Sequence, residues 1–205
     1  RDTGSLKDFN ISYQHIDLQE DGGIDWTKVE EAISEKTKVI AIQRSKGYAN
    51  RPSFTIEQIE LMTIKIRSLK PQAIIFVDNC YGEFVEKLEP TNIGVDLMAG
   101  SLIKNPGGGL AKIGGYIAGQ KKYVDMCAYR MTSPGIGGEA GPSLNTLADM
   151  YQGFFLAPHV VAQAVKGAIF TSALLEKVGM NTSPHYLEKR TDLIQSVSFK
   201  TADQM

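Results

Sequence analysis

The chain has 205 residues, 42% of them hydrophobic and 22% charged, with a formal net charge of −1. This is the balance of a folded globular chain with room for a substantial core. The near-zero charge argues against a general nucleic-acid or membrane-surface role, since both carry a basic excess. No apolar run reads as a bilayer span and no signal peptide is visible. The two cysteines, Cys80 and Cys127, lack metal-type spacing, so a cytoplasmic chain with free thiols is expected.

In chain order, "ISYQHIDL" (11–18) reads as a strand. "IDWTKVEEAISEKT" then reads as a helix capped by Asp25, with Trp26, Val29 and Ile33 on one face. "VIAIQ" (39–43) is a continuous apolar run of the kind buried on both faces of a parallel sheet. Thr55 and Gln58 fit a capping box for a helix that carries Ile56, Ile59, Met62 and Ile66 at helical spacing and ends near Pro71. "AIIFVD" (73–78), "VDLMAGSLIK" and "GGYIAGQ" read as further strands. "KKYVDMCAYRM" reads as one helix, and 142–179 as a long helical region with a kink or break at Pro158. Residues 179–184 read as a linker, "DLIQSVSF" as the start of a smaller unit, and 201–205 as a first helical turn. Strands alternating with helices predict an α/β domain with a mostly parallel sheet.

In such sheets, ligands bind beyond the carboxyl ends of the strands. Three of those ends are polar here: "IQRSKGY", "FVDNCYGEF" and "GSLIKNPGGG". Asp78 closes an apolar strand, either as a helix-cap or turn aspartate or as a carboxylate aimed at a cationic ring nitrogen. Lys104 is either a solvated strand-end lysine or, if desolvated, an amine that attacks a carbonyl to form a Schiff base. Together the two fit a pyridoxal phosphate (PLP) site, which needs a lysine for the aldehyde and an acid to keep the ring nitrogen protonated. Arg44, Ser45 and Lys46 follow a strand, and two readings stand for them: cofactor or substrate-carboxylate contacts, or a solvated loop turning at Gly47. Asn79 and Tyr81, beside Asp78, are placed to contact the ring or its 3′-oxygen.

"TSPGIGGEAG" formally matches G-x-G-x-x-A through Gly135, Gly137 and Ala140, but no strand precedes it and Pro134 sits where the tight turn would start. It therefore reads as a glycine-rich loop near a subunit interface rather than a dinucleotide motif. His15, His159 and His185 fall in unrelated settings, so no metal site is expected. Cys80 reads as a small packed thiol. The stripe of Phe154, Phe155, Val160, Val161 and Val165 reads as core or dimer interface.

"QRSKGY", "VDNCYGEFVE", "SLIKNPGGGLAKIGGYIAG" and "TSPGIGGEAG" together resemble fold-type I PLP enzymes, and more narrowly the cystathionine and methionine lyase-related group labelled aluminium-resistance proteins. The resemblance covers nearly the whole chain and is most specific around Lys104. It implies the fold-type I large domain, a mostly parallel sheet flanked by helices, over 1–180, with the start of a small C-terminal domain over 181–205. It also implies Lys104 as the Schiff-base lysine and Asp78 as the ring-nitrogen partner, with Tyr81 kept as a cofactor contact from its place beside Asp78. Ser101 matches the phosphate-binding serine of the family's S-x-T-K pattern, although Ile103 replaces its threonine.

The family's upstream phosphate loop, its ring-stacking aromatic and its C-terminal carboxylate-binding arginine find no match here. Arg190 precedes the small-domain strand and is a poor substitute. The chain accordingly reads as the middle of a longer protein. The activity implied is carbon–sulfur bond cleavage in a sulfur amino acid, in the manner of cystathionine β-lyase or methionine γ-lyase, by a cytoplasmic homodimer or homotetramer with no nucleic-acid or membrane partner. An aminotransferase, an NAD-binding oxidoreductase and a truncated non-catalytic protein of the same fold are the alternatives.

Overall fold

The computed structural model describes residues 3–49, 51–133, 135–139 and 143–204. Pro134, Ala140 and Pro142, which figured in the glycine-rich loop and long-helix expectations, lie outside the described residues. Four strands, β1 (Val39–Gln43), β2 (Ile74–Asp78), β3 (Leu97–Ser101) and β4 (Gly115–Gly119), form one sheet in that spatial order. β1, β2 and β3 pair in parallel and β4 returns antiparallel to β3. The sheet is therefore mostly parallel, as expected, with an antiparallel edge.

Two helices enter from well-formed caps. The Asp25 side chain accepts from the Lys28 N–H at 3.2 Å at the start of α1 (Trp26–Ala32). Thr55 and Gln58 make a reciprocal capping box for α2 (Ile56–Leu69), which satisfies two of the orphan donors of the first turn. The face of α2 carrying Ile56, Ile59, Met62 and Ile66 is buried. It joins Ile42, Phe54, Ile75, Val77 and Val95 in the core, with Trp26 and Met98 packed against it. Below this core, the buried Asp96 carboxylate accepts from Arg67 of α2, from the Ile75 N–H at 2.7 Å and from Gln120. One acid thus fixes α2, β2 and the exit of β4 relative to each other, with its charge paired and its lone pairs used.

Beyond the sheet come α3 (Lys121–Met131) and the 31-residue α4 (Leu147–Lys177), which runs through Pro158 as one element. By length and composition α4 is apolar enough to cross a membrane, contrary to the expectation that no run reaches that length. It buries Gly153, Ala157, Val161 and Ser172 against the rest of the chain.

Three expectations are corrected. Residues 11–18 form no strand: they are mostly exposed, and among the described residues no segment pairs with them. β1 is not buried on both faces, because it lies at the sheet edge, with Ile42 covered and Val39, Ala41 and Gln43 exposed. The stretch read as a linker contains β5 (Asn181–Ser183), which pairs antiparallel with β6 (Ser196–Ser198).

Candidate active site

The parallel register brings Gln43, Asp78 and Ala99 side by side, so the carboxyl ends of β1, β2 and β3 open onto one edge. There a cavity of about 210 Å³ is lined by Gln43, Ser45, Gly47, Tyr48, Asp78, Cys80, Tyr81 and Lys104. It is the place the sheet topology favours for a ligand. A larger cleft of about 440 Å³ between α1 and α2 is lined by Gly22, Trp26, Phe54, Met62 and Lys65 among others, and holds none of the candidate residues.

Lys104 heads the turn after β3, its N–H bonded to the Ser101 carbonyl at 3.2 Å, and its Nζ lies 4.5 Å from the centroid of the Tyr81 ring. That geometry is a cation–π contact. Partial burial pulls the Lys104 ammonium down, yet its hydrogen bond to Cys80 and the charges of Cys80, Tyr81 and Asp78 outweigh it and hold the pKa above the ordinary lysine value. Burial, then Asp78, push the Cys80 thiol up, while Lys104 pulls it down. Asp78 is half-buried at the end of β2, and its Oδ1 accepts from the Cys80 N–H at 3.1 Å.

Tyr81 sits at φ +70° and Phe84 at +63°, a left-handed backbone that costs a side-chain-bearing residue roughly 1–2 kcal/mol. The Asn105 amide donates to the Tyr81 carbonyl at 2.9 Å and to the Glu83 carbonyl at 3.0 Å.

Of the eight residues expected to act here, Asp78, Tyr81, Lys104 and Ser45 line the cavity. Ser101 does not: it closes β3 opposite Gly115 and reaches the site only through its backbone bond to Lys104. Arg44 is fully buried on the far side of the strand end, donating to Asn79 Oδ1 at 2.8 Å and Glu86 Oε2 at 3.1 Å, with Glu89 and Thr191 at 3.4 Å. Two carboxylates draw it inward, so it is a buried structural cation and does not face a ligand in the cavity. Lys46 Nζ donates to the Ser183 carbonyl and hydroxyl, each at 3.1 Å, and burial lowers its pKa. Asn79, expected near the cofactor ring, is fully buried and bridges Arg44, Glu89 and Tyr116 instead.

Glu83 and Tyr116 were not singled out from the sequence. Glu83 is 3% exposed, its Oε1 accepts from the Tyr116 hydroxyl at 2.8 Å, and its Oε2 has no partner among the described residues. Burial pushes this carboxyl up to about 7, against the pull of its hydrogen bonds. Burial and Glu83 push the Tyr116 hydroxyl up as well. The glycines after Lys104 have a packing role. A Cβ on Gly108 would lie 2.3 Å from the Gly153 carbonyl, and one on Gly153 would lie 2.1 Å from that of Gly107. Bare backbone on both sides lets α4 press against the turn that carries Lys104.

The whole chain, residues 1–205, matches the family model described as methionine gamma-lyase. It is 62% identical over 202 residues to the uncharacterized protein YnbB of Bacillus subtilis, covering 98% of this chain and 48% of that protein. A Listeria monocytogenes protein provisionally described as a cystathionine beta-lyase involved in aluminum resistance has a solved structure with a TM-score of 0.96 and 58% identity, covering 98% of this chain and 50% of that one. The structure of a carbon-sulfur lyase involved in aluminum resistance from Clostridium novyi gives a TM-score of 0.93 at 45% identity, covering 100% of this chain and 49% of that one. The chain thus spans about half the length of these relatives.

Proposed function

The chain belongs to the methionine gamma-lyase family, and from that premise we propose that the protein is a PLP-dependent carbon–sulfur lyase acting on a sulfur amino acid. The observation that carries the reading is the convergence of Lys104, Asp78 and Tyr81 on one cavity at the carboxyl ends of β2 and β3. An amine, a carboxylate and a phenol at one sheet edge suit the aldehyde, the pyridine nitrogen and the ring oxygen of the cofactor. The names of the Listeria and Clostridium relatives favour a lyase within the family.

In this reading Lys104 would hold the cofactor covalently, Asp78 its ring nitrogen and Tyr81 its ring oxygen. When bound, PLP supplies an electron sink for charge developing at the substrate α-carbon. The chain's own part is proton handling. Lys104 Nζ would be the base for the α-proton, and for that it would have to give up the charge that Cys80 and Asp78 help hold. A carboxylate at Asp78 beside the ring nitrogen would favour the protonated ring. Tyr81 restricts Lys104 to one side of the cavity. Tyr48, fully exposed and part of the lining, stands where a substrate side chain would enter.

Self-association belongs to the same reading. Tyr151 and Phe155 on α4 are 73% and 83% exposed, more apolar surface than an isolated helix face normally leaves to water. Free cysteines at Cys80 and Cys127 suit a cytoplasmic setting.

The test is a product assay on the PLP-loaded protein with cystathionine and methionine. Thiol release with pyruvate marks β-elimination, and release with 2-oxobutyrate marks γ-elimination. Lys104→Ala is expected to lower either rate by about a hundredfold or more. Unchanged turnover in that variant, or no thiol from any sulfur amino acid, overturns the reading.

A further inference from the structure

Asn105 follows Lys104 directly and is 5% exposed. Buried amides need partners for both donors, and Asn105 spends its own on one short segment: the carbonyls of Tyr81 at 2.9 Å and Glu83 at 3.0 Å. This segment turns against its backbone preference, with Tyr81 at φ +70° and Phe84 at +63°. Such a conformation persists only where the surroundings hold it. Several groups hold it, among them the Asn79 carbonyl, which accepts from the Gly82 N–H at 2.9 Å, and the Tyr116 hydroxyl, which donates to Glu83 at 2.8 Å. Besides Asn105, the Leu193 N–H reaches the Tyr81 carbonyl at 3.2 Å, and Glu89 accepts from the Phe84 N–H at 2.9 Å. The outcome of the turn is the Tyr81 ring lying 4.5 Å from Lys104 Nζ.

We propose that Asn105 is a positioning residue: it ties the strained Tyr81–Glu83 turn to the lysine's own loop and so fixes the aromatic ring against Lys104 Nζ. Its neighbour in sequence is the amine and its hydrogen-bond partners belong to the ring-bearing segment, so one side chain sets the distance between the two. An aspartate cannot replace it, because a carboxylate would set lone pairs against two carbonyl oxygens. The catalytic meaning of the inference rests on the Lys104 reading above, but the geometry is testable without cofactor.

The experiment measures the acetylation rate of Lys104 in the cofactor-free protein with N-hydroxysuccinimidyl acetate, followed by peptide mass spectrometry as a function of pH. Only the neutral amine reacts, so the rate reports how strongly the ammonium is held. Asn105→Ala and Tyr81→Leu are each expected to raise the Lys104 rate by about threefold or more at a given pH. The double variant should be no faster than either single one, because both changes remove the same contact. Asn105→Ser, which keeps one donor, should fall between Asn105→Ala and the unsubstituted protein and carries the comparison if the alanine variant does not fold. Acetylation of Lys121, exposed on α3, serves as the internal control. A folded Asn105 variant with an unchanged Lys104 rate, or effects of Asn105→Ala and Tyr81→Leu that add, overturns the proposal. Failure of the cofactor reading would show separately, as absent PLP fixation in a protein whose Lys104 acetylation still follows this pattern.

Discussion

Glu83 carries an ionisable group in a place that disfavours its charge: 3% exposed, one oxygen bonded to Tyr116, the other without a partner among the described residues. Its carboxyl is raised from 4.5 to about 7, so between those values the folded chain binds a proton that the unfolded chain has released. Stability from this group is therefore full below about pH 4.5 and lost as pH rises through about 7. Glu83→Gln keeps an acceptor for Tyr116 and removes the charge. It is expected to stabilise the protein by about 2–3 kcal/mol at pH 8 and by little at pH 4, read from urea unfolding at the two pH values. Equal effects at both would contradict this account. Residue roles divide by how local their cause is. The places of Asp78 at the end of β2 and Lys104 in the turn after β3 were legible, because they follow from chain order alone. The direction of Arg44 was not, because its partners Glu86 and Thr191 lie 42 and 147 positions away. Asn105 was in plain view beside Lys104, yet nothing in its type or spacing told that both its donors face Tyr81 and Glu83.

At the level of elements, the contact between α4 and the turn after β3 leaves no room for a side chain. Gly107 and Gly108 face Gly153 backbone to backbone, and a Cβ on Gly153 would lie 2.1 Å from a carbonyl oxygen. Gly153→Ala is expected to destabilise by about 2–3 kcal/mol and, by displacing the turn, to speed Lys104 acetylation. A variant as stable as the parent would show that the helix can slide away freely. The sequence signals for α2, β2 and β3 were strong because cap, periodicity and apolar run agreed within each segment. The 11–18 segment reads as a strand by itself but has no partner among the described residues, and pairing is a property of two segments, not one. For β5 the reverse held: "NTS" is polar and only its pairing with Ser196–Ser198 makes it a strand.

At the scale of the whole molecule, residues far apart in the chain close around one sheet edge. Ser45 and Ser53 both donate to Asp192, Thr191 bonds the Phe54 carbonyl at 2.8 Å, and the Leu193 N–H reaches Tyr81. The 191–193 segment thereby braces the β1–α2 loop and the Tyr81 turn at once, and the cavity with Lys104 lies between them. This arrangement could not be read from strand order, since it depends on where the chain returns after α4. The central proposal, that Lys104 is the covalent anchor of a PLP cofactor, rests on its place at that sheet edge and on the family the chain belongs to. The most direct measurement is borohydride reduction of the PLP-loaded protein followed by peptide mapping. The account predicts a single phosphopyridoxyl adduct on Lys104, absent in Lys104→Ala. No adduct, or an adduct on another lysine with Lys104 unmodified, would contradict it.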